Sequence, residues 1–243
     1  MPSDNHADLP LLTLHCIQAL EKGVVVTIAG KAAPEAWYNT LLKRLNTAEK
    51  AQLSRFRNNA QHGVYLSAHA VLNTLLGACT GENPAELQFS FGTQRKPYLV
   101  PTEVGLYFNL SHSGDYFLIG LLKNREIGVD VEVHRAGIPT VVLAQRFFHP
   151  QEQELLGNES TFFDTWTRKE AFLKALGTGL NYPITSFDAT KDRILTDKGF
   201  VALKSLPYFE GASAAIAIAQ EIPPLQAYQL WAPAEWELFL EKG

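Results

Sequence analysis

Hydrophobic and polar residues alternate over the seven-residue segment Ile127–Val133, a pattern that predicts a β-strand. Its odd positions carry aliphatic side chains and therefore share one face of the strand. Gly128, Asp130 and Glu132 share the opposite face. The alternation thus predicts a strand with one apolar face and one face that bears two carboxylates.

The rest of the chain combines helical and strand periodicities. Apolar residues recur at helical spacing over residues 34–57, 63–78 and 162–176, and another helix begins within 145–156. Alternating or continuous apolar runs predict strands at 87–91, 106–110 and 116–122, and short strands fill the chain from 180 to 220. The polar turn at 123–126 predicts a hairpin into the strand at 127–133. Helices mixed with antiparallel strands favour an α+β fold.

Two carboxylates on one strand face repel each other unless a positive charge lies between them. Oxygen ligands of this kind select Mg²⁺, Mn²⁺ or Ca²⁺, so Asp130 and Glu132 are candidate metal ligands. The alternative is a solvated outer face, on which both carboxylates point into water. The strand alone leaves both interpretations open.

The helix predicted at 162–176 adds further charges to this picture. Trp166, Glu170 and Lys174 follow one another at intervals of four residues and share one helix face. Glu170 would complete a site of three carboxylates, and Lys174, one turn further on, would neutralise a phosphate. The alternative is a surface pair of Glu170 and Lys174, which explains the spacing but not the aromatic residue beside it.

Another polar segment, Asn-Leu-Ser-His-Ser-Gly at 109–114, follows a predicted strand. Its hydroxyls, the imidazole of His112 and the free N–H groups of a turn are suited to binding an anion, although a single histidine is more often structural. The Gly-x-Ser-x-Gly motif of hydrolases is absent, which disfavours a nucleophilic serine. Upstream, Lys96 and Pro97 form a basic turn.

Composition limits the class of protein. The 243 residues carry a net charge of −4 and have no long basic run, so we expect no binding to nucleic acid. No apolar stretch approaches the ~20 residues that span a bilayer, and the N-terminal residues lack the pattern of a secretory signal. The two cysteines, Cys16 and Cys79, lack metal-site spacing. These features predict a cytoplasmic protein without a membrane partner.

Four segments, taken in order, resemble a known family. They are Lys-Pro at 96–97, Phe-Asn-Leu-Ser-His-Ser at 108–113, Gly-Val-Asp-Val-Glu at 128–132 and Trp-Thr-Arg-Lys-Glu-Ala-Phe-Leu-Lys at 166–174. Their sequences and order resemble the 4′-phosphopantetheinyl transferases of the Sfp type, and the resemblance extends over about residues 45–190.

The resemblance implies two similar α+β halves related by a pseudo-twofold axis, with the active site in the cleft between them. The polar turn at 123–126 predicts the break between them, which gives halves 1–123 and 124–243. The resemblance also implies a monomeric enzyme that transfers the phosphopantetheine arm of coenzyme A to a serine of an apo acyl or peptidyl carrier protein. The reaction would depend on Mg²⁺, or Mn²⁺ in its place, and release adenosine 3′,5′-bisphosphate.

The same resemblance implies roles for individual residues. The metal ligands would be Asp130, Glu132 and Glu170, with Lys174 contacting the pyrophosphate. The chemistry of the transfer, rather than the resemblance, makes Glu170 our choice for taking the serine proton, directly or through a water. The remaining residues expected to bind coenzyme A are Arg55, Lys96, Pro97, Ser111, His112 and Lys169. Phosphoryl transfer needs these groups, because it depends on positioning and charge neutralisation.

The chain departs from the family pattern at three basic or glycine positions. Gln61–Val64 stands where family members carry an acidic-Arg-x-Arg block, Asn73 replaces an arginine, and Arg95 replaces the glycine before Lys-Pro. The lost cations suggest an alternative, a weakened module that binds carrier proteins without transfer. A metal-dependent nuclease or phosphatase that uses the same carboxylates is a third hypothesis.

Overall fold

The computed structural model describes residues 9–57, 59–92, 94–101 and 105–240. Within them, the helices are α1 (Leu11–Glu21), α2 (Tyr38–Leu42), α3 (Thr47–Leu53), α4 (Asn59–Thr80), α5 (Thr140–Phe147), α6 (Pro150–Glu154), α7 (Glu159–Leu176) and α8 (Pro233–Leu240). The strands are β1 (Val25–Lys31), β2 (Gln88–Phe91), β3 (Pro97–Val100), β4 (Leu106–Ser113), β5 (Tyr116–Lys123), β6 (Ile127–Val133), β7 (Arg193–Thr196), β8 (Gly199–Ser205), β9 (Ala212–Ala219) and β10 (Leu225–Leu230).

Two four-stranded sheets form the centre of the molecule, with the strand orders β10-β1-β5-β4 and β6-β9-β8-β7. The apolar residues of β5 alternate between two cores. Phe117, Ile119 and Leu121 face α4, whereas Leu118 and Leu122 pack against the second sheet. On the far side of the second sheet, α7 forms its own core with β8 and β9. The layers therefore run helix, sheet, sheet, helix.

The two halves repeat one arrangement. In the first, β1 is followed by α4 and then by β4 and β5; in the second, β6 is followed by α7 and then by β8 and β9. The pairing also repeats, since β5 lies between β1 and β4 as β9 lies between β6 and β8. The predicted α+β fold of two similar halves is confirmed.

The C-terminal segment crosses back to the first half. Strand β10 pairs in parallel with β1, and α8 places Trp236 and Phe239 in the core of the first sheet. The division at residues 123 and 124 stays a prediction, and residues 225–240 pack with the half that precedes that division. Among the described residues, no helix is both long and apolar enough to cross a bilayer.

Two local predictions were wrong. The turn at 123–126 does not close a hairpin, because β5 is already paired on both edges, with β1 and β4, and β6 begins the other sheet. The helix expected within 145–156 is two helices, α5 and α6. Pro150 begins the second, because its ring fixes a helical φ and it has no N–H to donate to the preceding turn.

Helix α7 has strong signals at both ends. The side chain of Asn158 accepts a hydrogen bond from the N–H of Thr161 and so caps the first turn. At the other end, Gly177 adopts a left-handed conformation, with φ of 65°, and ends the helix. The helix starts three residues before the predicted position, because the cap lies outside the apolar pattern.

Candidate active site

Strands β4 and β6 are the facing edges of the two sheets, and side chains rather than backbone groups connect them. Three polar residues of β4 accept hydrogen bonds from N–H groups of β6. The pairs are Asn109 with Val129 at 2.9 Å, Ser111 with Val131 at 3.4 Å and Ser113 with Val133 at 3.2 Å. We call this contact the β4–β6 seam. It satisfies buried backbone donors that would otherwise lack a partner.

The two carboxylates of β6 lie along the seam. Asp130 is 3% exposed, and its Oδ1 accepts hydrogen bonds from Ser111 Oγ at 2.8 Å and from Lys174 Nζ at 2.6 Å. Glu132 accepts a hydrogen bond from Ser113 Oγ at 2.8 Å. Each carboxylate is therefore oriented by a serine of the other half.

Helix α7 brings two more charges to the seam because Gly128 lets it approach β6. A Cβ at residue 128 would lie 2.1 Å from the carbonyl oxygen of Ala171 and 2.3 Å from the nitrogen of Ala175. Any larger residue would push the helix away from the strand. With glycine there, Lys174 reaches Asp130, and Glu170 faces the same carboxylates from one turn earlier.

The charges of these acids act on one another. Burial, and then the charges of Asp130 and Glu132, raise the pKa of Glu170, and Lys174 partly offsets them. Burial likewise raises the pKa of Glu132, followed by the charge of Asp130, while the hydrogen bond from Ser113 acts in the opposite direction. Like charges held together in a partly buried site are typical of a cation-binding or catalytic centre.

The carboxylate oxygens of this site are ligands that a divalent cation prefers, but the residues do not surround such a cation completely. Asp130 Oδ2 is buried and has no hydrogen-bond partner, so this oxygen needs a cation or a donor that the protein does not supply. Across the described ranges, however, no three His, Cys, Asp or Glu side chains converge into a complete site. Lys174 occupies Asp130 Oδ1 in this arrangement. A cation would share Asp130 with the lysine or displace it.

Two cavities meet beside the seam. A small one, about 210 Å³, lies between the halves and is lined by Arg95, Lys96, Pro97, Glu170 and Lys174 among others. A larger one, about 790 Å³, lies on the first half and includes Tyr65, His69, Phe89 and Phe108 in its walls. Pro97 lines both, so the two cavities are neighbours on either side of this residue.

Four of the residues expected to bind coenzyme A have different environments in this structure. Pro97 lines both cavities. Lys96 lines the small one, but its Nζ is held by Glu126 Oε2 at 2.6 Å and by the carbonyl of Ile127 at 3.0 Å. Ser111 is buried in the seam. His112 is next to it on the opposite face of β4, and its pKa is lowered, first by desolvation and then by His69 and Lys174.

Two further residues do not come to the cleft. Lys169 is fully buried, pairs with Glu152 at 2.8 Å and donates to the carbonyls of Ile184 and Phe187, so this arrangement leaves it no path to a phosphate. Its partners lie on α6 and in the loop that follows α7, so Lys169 fixes that loop to the helix. Arg55 is exposed, and its side chain bonds to Gln52. The expectation that Lys169 holds a phosphate does not fit its position.

The sequence pattern gave Asn109 no role and predicted the Ser113 hydroxyl only as part of an anion-binding turn, although both lie within the motif at 108–113. Their signal was the alternation of polar residues 109, 111 and 113, the strand spacing that puts all three on one face. Glu126 was also missed as the partner of Lys96. No local pattern indicates it, because the pair joins residues 30 positions apart.

Comparisons with known proteins agree with this geometry. Residues 126–221 match the model of the 4′-phosphopantetheinyl transferase superfamily, and residues 32–121 match that of the 4′-phosphopantetheinyl transferase N-terminal domain. The slr0495 protein of Synechocystis sp. is 39% identical over 166 residues, which cover 64% of this chain and 68% of that protein.

Two further relatives carry the family name. HetI of Nostoc sp., a 4′-phosphopantetheinyl transferase, is 36% identical over 155 residues, 60% of this chain and 65% of HetI. AcpT of Escherichia coli, another 4′-phosphopantetheinyl transferase, is 32% identical over 169 residues, 63% of this chain and 80% of AcpT. The chain therefore belongs to the 4′-phosphopantetheinyl transferase superfamily and is an enzyme of the transferase class, as the sequence motifs predicted.

Proposed function

We propose that the protein transfers the 4′-phosphopantetheine arm of coenzyme A to a serine of an apo acyl or peptidyl carrier protein. The serine oxygen forms a bond to the phosphorus that carries the pantetheine group. The bond from that phosphorus to the bridging oxygen breaks, and adenosine 3′,5′-bisphosphate leaves. The observation that carries the proposal is the cluster of Asp130, Glu132, Glu170 and Lys174 beside a cavity between the two halves.

The cavities support a placement for coenzyme A. The small one has Lys174 and Glu170 in its wall and suits the pyrophosphate, which carries the reacting phosphorus. The larger one offers the aromatic rings of Tyr65, Phe89 and Phe108 to the adenine. Its volume lies within the ~300–1,000 Å³ range of ligand pockets.

Each charged residue has a distinct part in the reaction. Lys174 donates to a pyrophosphate oxygen and neutralises charge that develops on the leaving group. Glu170 accepts the serine proton, directly or through a water that it orients, and its raised pKa makes it a better proton acceptor than an ordinary carboxylate. Ser111 and Ser113 hold Asp130 and Glu132 in place.

Asp130, Glu132 and Glu170 would hold Mg²⁺, or Mn²⁺ in its place, and the unpaired Oδ2 of Asp130 supports this assignment. Such a cation supplies positive charge at the pyrophosphate oxygens when it is bound. The chain itself provides both sides of the cleft, which supports a monomer as the active species. A cytoplasmic location completes the proposal, since coenzyme A and carrier proteins are the partners.

The test is the intact mass of apo-carrier proteins incubated with the enzyme, coenzyme A and Mg²⁺. We expect each accepted carrier to gain one phosphopantetheine group, and the gain to require both coenzyme A and Mg²⁺. A carrier whose acceptor serine is replaced by alanine serves as the control. Unchanged mass across a panel of carriers would overturn the proposal.

One observation favours the alternative of a module that binds carriers without transfer. Val64 and Asn73, at positions where the family carries arginines, are buried in α4, and Asn73 donates to Glu49 and to the carbonyl of Arg44. These positions therefore add no cation to the cleft. Calorimetry separates the two functions: heat of binding with an apo-carrier but none with coenzyme A would favour the module.

A further inference from the structure

Arg95 stands at the tip of the tight turn between β2 and β3. Its N–H donates to the carbonyl of Gly92 at 2.9 Å, and the N–H of Gly92 donates to the carbonyl of Lys96 at 2.9 Å. The turn fixes the backbone on both sides of the arginine. Arg95 lines the small cavity together with the α7 residues Glu170 and Lys174.

The backbone of Arg95 is in a conformation that arginine rarely adopts. Its φ is 61°, in the left-handed region, and only Asn124 and Gln220 share a positive φ among the non-glycine residues that the structure describes. Glycine takes this conformation without steric cost, whereas a residue with a Cβ does not. A long cationic side chain here is therefore explained by what the side chain does rather than by the turn.

The neighbouring lysine is already engaged. Lys96 is 7% exposed and is held by the Glu126 carboxylate and the carbonyl of Ile127, so its charge is largely used within the protein. Arg95 is exposed, and its guanidinium has no ion pair or hydrogen bond within the described part of the chain. Among its described residues, the first half thus presents one engaged cation, Lys96, and one free cation, Arg95, to the same cavity.

We propose that Arg95 binds a phosphate group of coenzyme A from the first half of the molecule, in the cavity that Lys174 lines from the second half, while Lys96 anchors the turn to Glu126. This inference rests on the proposed function. The guanidinium offers a fork of donors that pairs with two oxygens of one phosphate, which a lysine cannot do. The arrangement supplies a cation that Val64 and Asn73 do not.

The variant Arg95→Gly isolates the side chain, because glycine accepts the same backbone conformation. We expect the KM for coenzyme A to rise about 5- to 10-fold, as for loss of a charge-assisted hydrogen bond. We expect kcat to stay within about twofold, because the contact exists in both the bound substrate and the transition state. The melting temperature should stay within about 2 °C, and Arg95→Lys should recover part of the loss.

Two control variants separate this effect from a change in backbone or charge. Gln220→Gly makes the same backbone change at φ of 69°, away from the residues that line the cavity, and should leave the KM for coenzyme A unchanged. Lys198→Gln removes an exposed cation from the turn between β7 and β8 and should also have no effect.

Calorimetric titration of wild type and Arg95→Gly with coenzyme A and with dephospho-coenzyme A identifies the phosphate. Weaker binding of both ligands by the variant assigns Arg95 to the pyrophosphate, and weaker binding of coenzyme A alone assigns it to the 3′-phosphate; both results support the proposal. Equal affinities of the two proteins for both ligands, with an active wild type, would overturn the Arg95 assignment alone. A wild type that binds coenzyme A but transfers nothing, with Arg95→Gly binding it more weakly, would overturn only the proposed function.

Discussion

Strands β1 and β6 occupy equivalent positions in the two halves, yet only β6 carries carboxylates. The first six residues of β1 are buried, and the strand is paired on both edges, with β5 and β10. Strand β6 pairs with β9 on one edge only, and its other edge meets the polar side chains of β4. The repeated arrangement gives both halves the same scaffold. We call the edge of β6 that pairs with no other strand among the described residues its open edge, and the candidate site lies there.

The C-terminal strand creates this difference. Because β10 covers the outer edge of β1, carboxylates there would be buried without donors, at a cost of several kcal/mol each. The helices differ in the same way. Helix α4 is largely apolar and fills the first core, whereas α7 has an apolar face towards β9 and presents Glu170 and Lys174 to the seam.

The largest expected effect tests whether the edge of β6 is the site of chemistry. We expect Asp130→Asn to lower the transfer rate about 1,000-fold, because the amide neither balances Lys174 nor neutralises a cation. The intact-mass assay measures the rate, and Asp115→Asn, an exposed residue in the turn after β4, is the control. A variant with a near-wild-type rate would show that the open edge is not the site.

A second prediction divides α7 into a structural face and a site face. Lys169→Met leaves Glu152 buried without its partner, which costs about 3–5 kcal/mol. Thermal unfolding should therefore show a much lower melting temperature. The folded variant, assayed at low temperature, should keep the wild-type KM for coenzyme A, as should the exposed control Lys198→Met. A raised KM with unchanged stability would return Lys169 to the phosphate site.

Glu170→Gln tests whether the ionised carboxylate of Glu170 destabilises the fold. We expect transfer to fall about 100-fold through loss of the proton acceptor. The raised pKa of Glu170 means that its ionised form costs free energy in the fold. Stability is therefore lost as the pH rises from the ordinary carboxylate value, about 4.3, through the higher folded value.

In metal-free buffer at pH 8, Glu170→Gln should melt about 2–4 °C above wild type, and at pH 4 the two should melt together. The control is Glu154→Gln, an exposed glutamate at the end of α6. A variant that is no more stable than wild type at pH 8 would indicate that ionised Glu170 does not destabilise the fold.

The smallest effect concerns the contact between the halves. Ser113→Ala removes the hydrogen bond to Glu132 and the acceptor for the N–H of Val133. We expect the Mg²⁺ concentration for half-maximal transfer to rise about 10-fold, as for loss of a partner that orients a ligand. Ser54→Ala, an exposed serine of the first half, should have no effect. An unchanged Mg²⁺ requirement would leave the seam a purely structural contact.

Much of the site was predictable from local spacing. Period-two alternation placed Asp130 and Glu132 on one face of β6, and four-residue spacing placed Glu170 above Lys174 on α7. What brings the strand and the helix together is Gly128, whose role as a contact point with Ala171 becomes visible only in three dimensions.

Other features depended on contacts that no local pattern carries. The prediction of a hairpin after β5 is wrong because both edges of β5 are already paired. One of the two partners, β1, lies about 90 residues earlier in the chain. The role of Lys169 depended on Glu152 and on the loop after α7, which bury a side chain that composition alone would place in water.

The most direct test of the central claim is Mn²⁺ binding, followed by electron paramagnetic resonance of the free ion in the presence of coenzyme A. The account predicts one binding site per chain in wild type, and affinity at least about 10-fold weaker in Asp130→Asn, with Asp115→Asn unchanged. Equal Mn²⁺ affinity in wild type and Asp130→Asn would contradict a metal site on the open edge of β6.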